Sequence, residues 1–344
     1  MNIIGNKIKV EISGSSHGDA IYGKLIGLPK GCVVDEEKIK KNLKTRHGKV
    51  GNTKRHDSDR FEIKGIRNGL STGKDIEITI FNDDVKSSDY DDIKGAFRPS
   101  HADYSNYIKY GRIIEGGGMS SGRMTAIIVA LGTICEDYLK GKGIQIKSHI
   151  LSIGGIKDDS FLSDPSKKVH SCFPIINKSK KEQFISEIEK AAKEKDSIGG
   201  VIETCIYGNV KGLGDPFFDS IESGISKMMF SIPSVKGVEF GKGFELSRMR
   251  GSKANDEFYI KNNKIRTKTN NNGGVLGGVS IGEPIVFSVA IKPTPSIGKV
   301  QNTVNIDLKP VKIEIKGRHD ACIAARCPII IETATAIALM DYLD

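Results

Sequence analysis

The sequence predicts an α+β fold built on antiparallel sheets, in a single domain that spans residues 1–344. Seven segments alternate apolar and polar residues as half-buried strands do, and five others repeat apolar residues at helical spacing. The two kinds of segment do not follow the regular strand–helix–strand order of a doubly wound parallel sheet. No low-complexity linker divides the chain, and 38% hydrophobic with 27% charged residues is the composition of a globular protein.

Each predicted element rests on one of these two periodicities. The predicted strands cover residues 7–12, 60–66, 75–81, 144–150, 201–207, 285–291 and 311–315. The predicted helices cover residues 35–45, 121–139, 180–193, 219–230 and 322–343. Pro328 falls inside the last helix, and because proline lacks an amide hydrogen we expect a helix start or a kink there. The most polar stretch, residues 260–272 (IKNNKIRTKTNNN), predicts an exposed loop or flap.

The net charge of +10, from 52 basic and 42 acidic residues, favours an anionic partner. Nucleic acid, a membrane surface and small phosphorylated or carboxylated ligands all satisfy that description. The lysines are spread along the chain, and only 6% of residues are aromatic, with no Trp, which argues against platforms for stacked bases. We therefore expect small anionic ligands and neither a nucleic-acid nor a membrane partner. A basic nucleic-acid-binding protein is the alternative, and it would need clustered lysines.

The cysteines and the N-terminus indicate a cytoplasmic protein. The six cysteines are far apart except for Cys322 and Cys327, and none forms a C-x-x-C motif. This pattern is typical of reduced thiols and not of disulfides or a zinc site. The N-terminus lacks the pattern of a signal peptide, and no apolar run approaches the roughly 20 residues that span a bilayer.

Seven segments combine glycine, polar and basic residues where a core element would be apolar. Glycine lets the backbone approach a ligand, and nearby hydroxyl and amide groups can then donate to an anion. The segments are GSSHGD (14–19), KRHDSDR (54–60), RPSHADY (98–104), EGGGMSSGR (115–123), NNNGGVLGGVSIGEP (270–284), KPTPSI (292–297) and KGRHD (316–320).

Two of these segments allow more than one interpretation. An amphipathic helix follows EGGGMSSGR directly, so Ser120 and Ser121 could cap it and offer its first amides to a phosphate. An ordinary glycine turn with a serine cap explains the same residues equally well. NNGGVLGGVSIG is similar to a dinucleotide-binding fingerprint, but its glycines precede a strand and open no helix, so it predicts only a close-approach loop.

His17 and His101 both lie on predicted loops. An unperturbed imidazole titrates near ~6.5, so either side chain could act as a general acid at neutral pH. A surface or hydrogen-bonding role is the more common alternative for a loop histidine. His319, between Arg318 and Asp320, could equally belong to a structural ion pair. No spacing of His, Cys, Asp or Glu is typical of a metal site.

Taken in order, these segments resemble the chorismate synthase family. The most specific runs are RPSHADY, VKGVEFGKGF (235–244), KPTPSI and KGRHD, and matching stretches cover nearly the whole chain in the family's order. The resemblance implies a β-α-β sandwich, with helices layered between antiparallel sheets, assembled as a homotetramer. It also implies a lyase of the shikimate pathway, which serves aromatic amino-acid biosynthesis. The family's reaction is a trans-1,4 elimination of phosphate from 5-enolpyruvylshikimate 3-phosphate to give chorismate, and it requires reduced FMN.

The resemblance further implies catalytic roles for three residues. His17, with Ser16 beside it, matches the histidine that protonates or neutralises the leaving phosphate. His101 matches the histidine that protonates the reduced flavin. Asp320, with Arg318, matches the pair that manages the flavin nitrogen's proton and the substrate's charge.

Ligand contacts are implied in the same way. The positions that correspond to flavin contacts are Met119, Ser120, Ser121, Pro233, Ser234, Gly277, Lys292, Pro293, Thr294, Pro295, Ser296 and Arg318. Arg46 and Lys49 correspond to positions that bind substrate or nicotinamide. Arg98, Arg123 and Arg326 are further candidates, because a planar guanidinium binds phosphate and carboxylate through two parallel hydrogen bonds.

The chain departs from the family's pattern at four places. Ser15 stands where the family commonly has Glu, Met119 where it often has Arg, and Pro233-Ser234 where it has Asn-Ala. A second family arginine has Lys49 as its nearest counterpart. We expect these changes to leave the lyase chemistry intact and to remove NADPH-dependent flavin reduction, so that reduced FMN comes from elsewhere; NADPH as the source of reduction is the open alternative. A non-catalytic flavin- or nucleotide-binding protein on the same scaffold is the competing function.

Overall fold

The computed structural model describes residues 2–48, 50–51, 57–83, 95–170, 173–315 and 320–343. Lys49 and Arg318, both predicted to contact ligands, lie outside these ranges, as does His319.

Most strands in the described residues belong to two antiparallel sheets of five strands each. The strands are β1 (Asn2–Ile4), β2 (Lys9–Gly14), β3 (Ala20–Ile26), β4 (Phe61–Lys64), β5 (Ile66–Arg67), β6 (Leu70–Ser71), β7 (Ile76–Phe81), β8 (Ile144–Ile153), β9 (Ile156–Lys157), β10 (Gly200–Gly208), β11 (Val235–Phe240), β12 (Phe258–Lys261), β13 (Lys264–Thr267), β14 (Val275–Leu276), β15 (Val279–Ser280), β16 (Ile285–Ile291), β17 (Gln301–Val304) and β18 (Pro310–Ile313). The first sheet has the order β1-β2-β3-β7-β4, and the second has the order β11-β16-β10-β8-β9. The remaining strands form two-stranded hairpins.

The helices supply the layer between these sheets. They are α1 (Glu36–Arg46), α2 (Asp103–Tyr110), α3 (Thr125–Gly141), α4 (Lys181–Lys193), α5 (Ile221–Phe230), α6 (Gly251–Ala254) and α7 (Cys327–Leu339). Helix α3 contacts β3 and β7 of the first sheet, α7 contacts β8 and β10 of the second, and the two helices pack against each other. The predicted sandwich of helices between antiparallel sheets is thereby confirmed.

Helices α3 and α7 form the centre of the core because they are apolar on nearly every side. Every residue of α3 from Thr125 to Cys135 is buried, as is typical of a helix covered on both faces. Complete burial of one Leu or Ile side chain contributes about 1.5–3 kcal/mol. A side chain at Gly132 would overlap the backbone of Thr333, so this glycine sets the close approach of the two helices.

The stretch Ile323–Tyr342, which contains α7, is apolar and long enough to cross a membrane by composition alone. The sequence shows no uninterrupted apolar run of that length, because Arg326, Glu332 and Asp341 divide the stretch. However, 72% of its most apolar window is buried inside the fold, which is the environment of a core helix.

The secondary structure departs from the sequence predictions at several places; β1, β11, β17 and α2, for example, were not predicted. Strand β3 was not predicted, because Gly23 and Lys24 interrupt its apolar pattern. Helix α3 begins at Thr125 and not at residue 121, since a short 3₁₀ turn over Gly122–Met124 precedes it. Residues 260–272 are exposed as predicted, but much of the stretch belongs to the β12–β13 hairpin and is not an irregular loop.

Candidate active site

A cavity of about 2070 Å³ lies where the loops of the two sheets meet the ends of the helices. Its wall includes the loop after β2, the C-terminal half of α1, the loop before α2, the glycine-rich segment before α3, and the segments after α5 and β16. The start of α7 completes it. A pocket for one drug-sized ligand measures about 300–1,000 Å³, so this cavity has room for two such ligands side by side.

The cavity wall is strongly basic. Among the described residues it carries eleven lysines and arginines against four carboxyl groups. The basic residues are Lys40, Lys41, Lys44, Lys147, Lys168, Lys236, Lys292, Arg46, Arg98, Arg123 and Arg326. Charges of one sign that line a concave surface concentrate ligands of the opposite sign. The predicted small anionic ligands therefore have a matching cavity.

His17 and Ser16 follow strand β2 and meet the glycine-rich segment. His17 lines the cavity, whereas Ser16 is fully buried behind it. The hydroxyl of Ser16 donates to the Gly116 carbonyl over 3.4 Å and lies 3.1 Å from His17 Nδ1. A hydroxyl has one hydrogen, so when it donates to Gly116 it accepts from Nδ1. Nδ1 is therefore the His17 nitrogen that faces Ser16.

His101 lies opposite a buried ion pair just before α2. Its Nδ1 is 2.9 Å from Asp103 Oδ1, and Arg98 donates to both oxygens of the same carboxylate. Asp103 is 1% exposed and Arg98 is 5% exposed. Burial opposes the ionisation of Asp103, but the hydrogen bonds from Arg98 and His101 hold its pKa well below the usual range.

The glycine run before α3 is what brings the two histidines to one place. Gly116 and Gly117 have φ angles of 60° and 82°, in the left-handed region that glycine adopts without strain. A side chain at Gly116 would overlap the imidazole of His17, and one at Gly117 would press against His101. The backbone therefore passes directly beside both rings, and the glycines of EGGGMSSGR serve this approach.

A cluster of guanidinium and carboxylate groups forms a second part of the wall. Arg123 pairs with Asp59, Arg46 Nη2 is 3.4 Å from Asp59 Oδ2, and Arg326 donates to Asp320 over 2.6 Å. Burial lowers the pKa of Arg46 to about 10, and the charges of Arg326 and Arg123 reinforce the change although Asp59 opposes it. The cluster thus holds positive charge that its own carboxylates only partly offset.

Two buried donors in this cluster lack a partner. The Nε atoms of Arg46 and Arg326 make no hydrogen bond among the described residues. Buried donors are nearly always satisfied, so an unsatisfied pair at a cavity wall indicates a place for an acceptor supplied by a ligand. Phosphate and carboxylate oxygens are acceptors of that kind.

The remaining predicted ligand contacts separate into two groups. The first group lines the cavity and consists of Met119, Ser120, Ser121, Pro233, Ser234, Lys292, Thr294, Pro295 and Ser296. Gly277, in the turn of the β14–β15 hairpin, and Pro293 do not line it. Ser121 caps the short turn before α3 by accepting from the Arg123 amide, so its predicted capping role applies to that turn.

Lys292 connects two strained serines in this wall. Its Nζ donates to the Ser100 carbonyl over 2.6 Å, and its backbone amide donates to the Ser234 carbonyl over 2.9 Å. Ser100 and Ser234 have φ angles of 58° and 74°, which residues other than glycine rarely adopt. Thr294 adds a buried hydroxyl with no partner among the described residues. Strained backbone and an unsatisfied hydroxyl are typical of a ligand site.

Sequence reasoning missed four carboxyl groups of the site. Asp57 and Asp59 lie in KRHDSDR, a segment selected for its composition but given no role, and Asp103 lies in RPSHADY. Glu332 sits within the apolar pattern of α7, where no sequence signal distinguishes it. Burial, with the charge of Glu136, raises the pKa of Glu332, which favours its neutral form and weakens its repulsion of anions.

Comparisons with known proteins identify the family to which the chain belongs. The chorismate synthase family model matches residues 8–343. A chorismate synthase of Dehalococcoides mccartyi is 42% identical over 352 residues, covering 99% of this chain and 96% of the relative. One from Korarchaeum cryptofilum is 39% identical over 350 residues, covering 99% and 97%. A crystal structure of a chorismate synthase superposes with a TM-score of 0.77 at 28% identity, covering 98% of this chain and 92% of that one. The chain therefore belongs to the chorismate synthase family and is a lyase of aromatic amino-acid biosynthesis.

Proposed function

We propose that the cavity binds 5-enolpyruvylshikimate 3-phosphate beside reduced FMN, and that His17, His101 and Asp320 serve the elimination of phosphate that gives chorismate. The observation that carries the proposal is the meeting of His17 and His101 at one glycine run in a basic cavity. The competing function, a non-catalytic flavin-binding protein, gives no reason for two histidines, each held through Nδ1, at one place.

The substrate brings one phosphate and two carboxylates, and the guanidinium cluster fits these charges. Arg46 and Arg326 each have a buried Nε free to donate to a ligand oxygen. Arg123 donates to Asn82 and to the Phe81 carbonyl as well as to Asp59, so it holds the cluster against the first sheet. A water-poor site with fixed positive charge stabilises the charge that develops on a departing phosphate.

His17 lies where it can meet that phosphate. With Nδ1 donating to Ser16, Nε2 carries a hydrogen only when the ring is protonated, and in that form His17 can donate a proton to the leaving group and offset its charge. Asp320 pairs with Arg326, which ties the carboxylate to the cluster. We therefore assign charge neutralisation to His17 and local proton management to Asp320.

The residues present also fit a flavin. The hydroxyls of Ser120 and Ser121 line the cavity, as does Thr294, whose hydroxyl has no partner among the described residues, and these groups would hold its polar edge. Reduced FMN, when bound, supplies electron density to a reaction in which the lost hydrogen is not next to a carbonyl. His101, held through Nδ1 by Asp103, presents Nε2 as the nitrogen that would exchange a proton with a ligand in this part of the cavity.

The decisive experiment is an anaerobic assay with purified protein, substrate and chemically reduced FMN. We expect chorismate and phosphate to appear in equal amounts. Flavin binding without release of phosphate would favour the non-catalytic alternative, and no chorismate at all would contradict the proposal. A second reaction with oxidised FMN and NADPH tests the source of reduction. We expect no product there, because Met119 and Pro233-Ser234 depart from the family's pattern.

We further propose a homotetramer of single-domain chains in the cytoplasm. One continuous core includes Ile8 at one end of the chain and Met340 at the other, which supports a single domain. Phe217, Phe218 and Phe244 are 85%, 92% and 78% exposed, and large exposed apolar side chains are typical of a surface that another chain covers. Sedimentation velocity measures the assembly, and a monomer at micromolar concentration would contradict it.

A further inference from the structure

We propose that Asp103 is a positioning residue that holds the proton of neutral His101 on Nδ1 and thereby presents Nε2 to the cavity. The inference rests on the role of His101 proposed above. Asp103 Oδ1 lies 2.9 Å from His101 Nδ1. An ionised carboxylate only accepts hydrogen bonds, so the nitrogen facing it must carry the hydrogen.

Arg98 keeps Asp103 ionised and fixed. Its Nη2 donates to Oδ1 over 2.7 Å, its Nε donates to Oδ2 over 2.7 Å, and its backbone amide donates to Oδ2 over 3.0 Å. Two parallel bonds between a guanidinium and a carboxylate define the orientation of both groups. Arg98 was predicted to clamp a ligand, and the geometry assigns at least these two side-chain donors to Asp103.

The other side of the loop is held as well. Lys292 Nζ binds the Ser100 carbonyl, and Ser100 adopts a left-handed φ of 58° immediately before His101. The ring then lies against Gly117, where no side chain intervenes. The imidazole is thus fixed by Asp103 at Nδ1 and by the loop backbone, so Nε2 is the nitrogen left to exchange a proton with a ligand.

The substitution Asp103→Asn separates positioning from simple packing. The two residues have nearly the same shape, but one carboxylate oxygen becomes an NH₂ group that cannot accept hydrogen bonds. In one orientation this new side-chain NH₂ group faces the backbone amide and Nε of Arg98. In the other orientation it faces Arg98 Nη2 and His101 Nδ1. The second orientation becomes favourable when His101 gives up its Nδ1 hydrogen. The variant should therefore move the proton of neutral His101 to Nε2, as the equivalent change does in a Ser-His-Asp triad.

The experiment measures both the tautomer and the rate. In ¹⁵N-histidine-labelled protein at alkaline pH, we expect the His101 ring to show hydrogen on Nδ1 in the wild type and on Nε2 in Asp103→Asn. We expect kcat to fall about tenfold or more, within the range of general acid–base effects, while KM for the substrate and the affinity for FMN change less than twofold. Asp158→Asn is the matched control, because Asp158 is a buried partner of His149 outside the cavity. It should lower stability without lowering kcat per folded molecule.

Three results for the wild type or the Asp103→Asn variant would each overturn the assignment directly. They are a wild-type His101 with hydrogen on Nε2, an Asp103→Asn variant with unchanged kcat, and a fall in kcat with an unchanged tautomer. If the variant does not fold, the wild-type spectrum still shows which nitrogen of His101 carries the hydrogen, and hydrogen on Nε2 overturns the proposal. If His101→Ala kept normal turnover while the wild-type tautomer matched expectation, the proposed role of His101 would fail and the Asp103 contact would stand as structural only, which overturns positioning for catalysis.

Discussion

Two histidines in this molecule, one half-buried and one fully buried, each contact a carboxylate but differ in what they can do. His101 uses Nδ1 for Asp103, and its other nitrogen is left at a cavity wall. His149 lies between two carboxylates: Nδ1 is 3.3 Å from Asp158, and Nε2 is 2.9 Å from Glu203. Its ring packs edge-on against Phe161, with centroids 4.8 Å apart, and its side chain is fully buried.

The difference teaches that a buried imidazole becomes chemically useful only when one nitrogen remains accessible. At His149 both nitrogens are engaged inside the second sheet, so the group can only join β8, β10 and the loop at Asp158. At His101 the charge of the partner carboxylate is already balanced by Arg98. The imidazole is therefore held by a hydrogen bond and is not needed as the positive partner of an ion pair. Proximity of His and Asp is therefore not by itself a catalytic signature.

Removing each imidazole in turn gives the largest expected contrast. We expect His101→Ala and His17→Ala each to lower kcat at least tenfold while FMN still binds, because positioned proton donors contribute about 10²–10⁴-fold. We expect His149→Gln to leave kcat per folded molecule unchanged, since His149 does not line the cavity. Anaerobic turnover and FMN titration measure both properties. Near-normal rates in either alanine variant would remove the assigned role of that histidine.

A smaller effect should come from the glycine run that passes beside His17 and His101, the two proposed catalytic histidines. In Gly116→Ala the new methyl group would overlap the His17 ring, so we expect the ring to be displaced and kcat to fall about tenfold, the size of effect that a misplaced catalytic group produces. Gly111→Ala is the matched control: its φ of 69° is equally left-handed, but open space surrounds it. It should cost about 1 kcal/mol of unfolding free energy and leave kcat unchanged. Equal rates in the two variants would show that contact with His17 is unimportant.

Much of the fold was predictable because its periodicity is local. Strand β16 was predicted at the same residues that the structure assigns, and α4 and α5 were predicted within two residues. The failures came where tertiary contacts override local pattern. Strand β3 contains Gly23 because helix α3 packs directly against it, a requirement that residues 20–26 alone do not reveal.

The site was less predictable than the fold. Glycine, histidine and arginine positions were found through composition and resemblance, because those residues repeat within short segments. Their partners were not: Asp59 meets Arg123 across 64 residues, and Glu332 accepts from the Ser148 amide across 184. A single sequence records no such pairing. Sequence separation does not explain every miss: the donors of Arg98 were predicted for a ligand, although its partner Asp103 lies five residues away in the same segment.

The smallest expected effect concerns the stability of the His149 network. Burial lowers the pKa of His149, but hydrogen bonds to Asp158 and Glu203 outweigh it and raise the pKa above its ordinary value. Below pH ~6.5 the imidazole is charged in both folded and unfolded chains, so the stabilisation by the two carboxylates is fully present. As pH rises through the raised pKa, the folded protein loses this proton and the stabilisation with it. The difference in unfolding free energy between wild type and His149→Gln should therefore shrink with increasing pH, by about 1.4 kcal/mol for each unit by which the pKa is raised. Urea unfolding between pH 6 and 9 measures it, and ionisable groups that do not contact His149, including Glu332, cancel because both proteins contain them. A difference that stays constant or grows with pH would mean that His149 is neutral in the folded protein, and the contrast with His101 would then rest on accessibility alone.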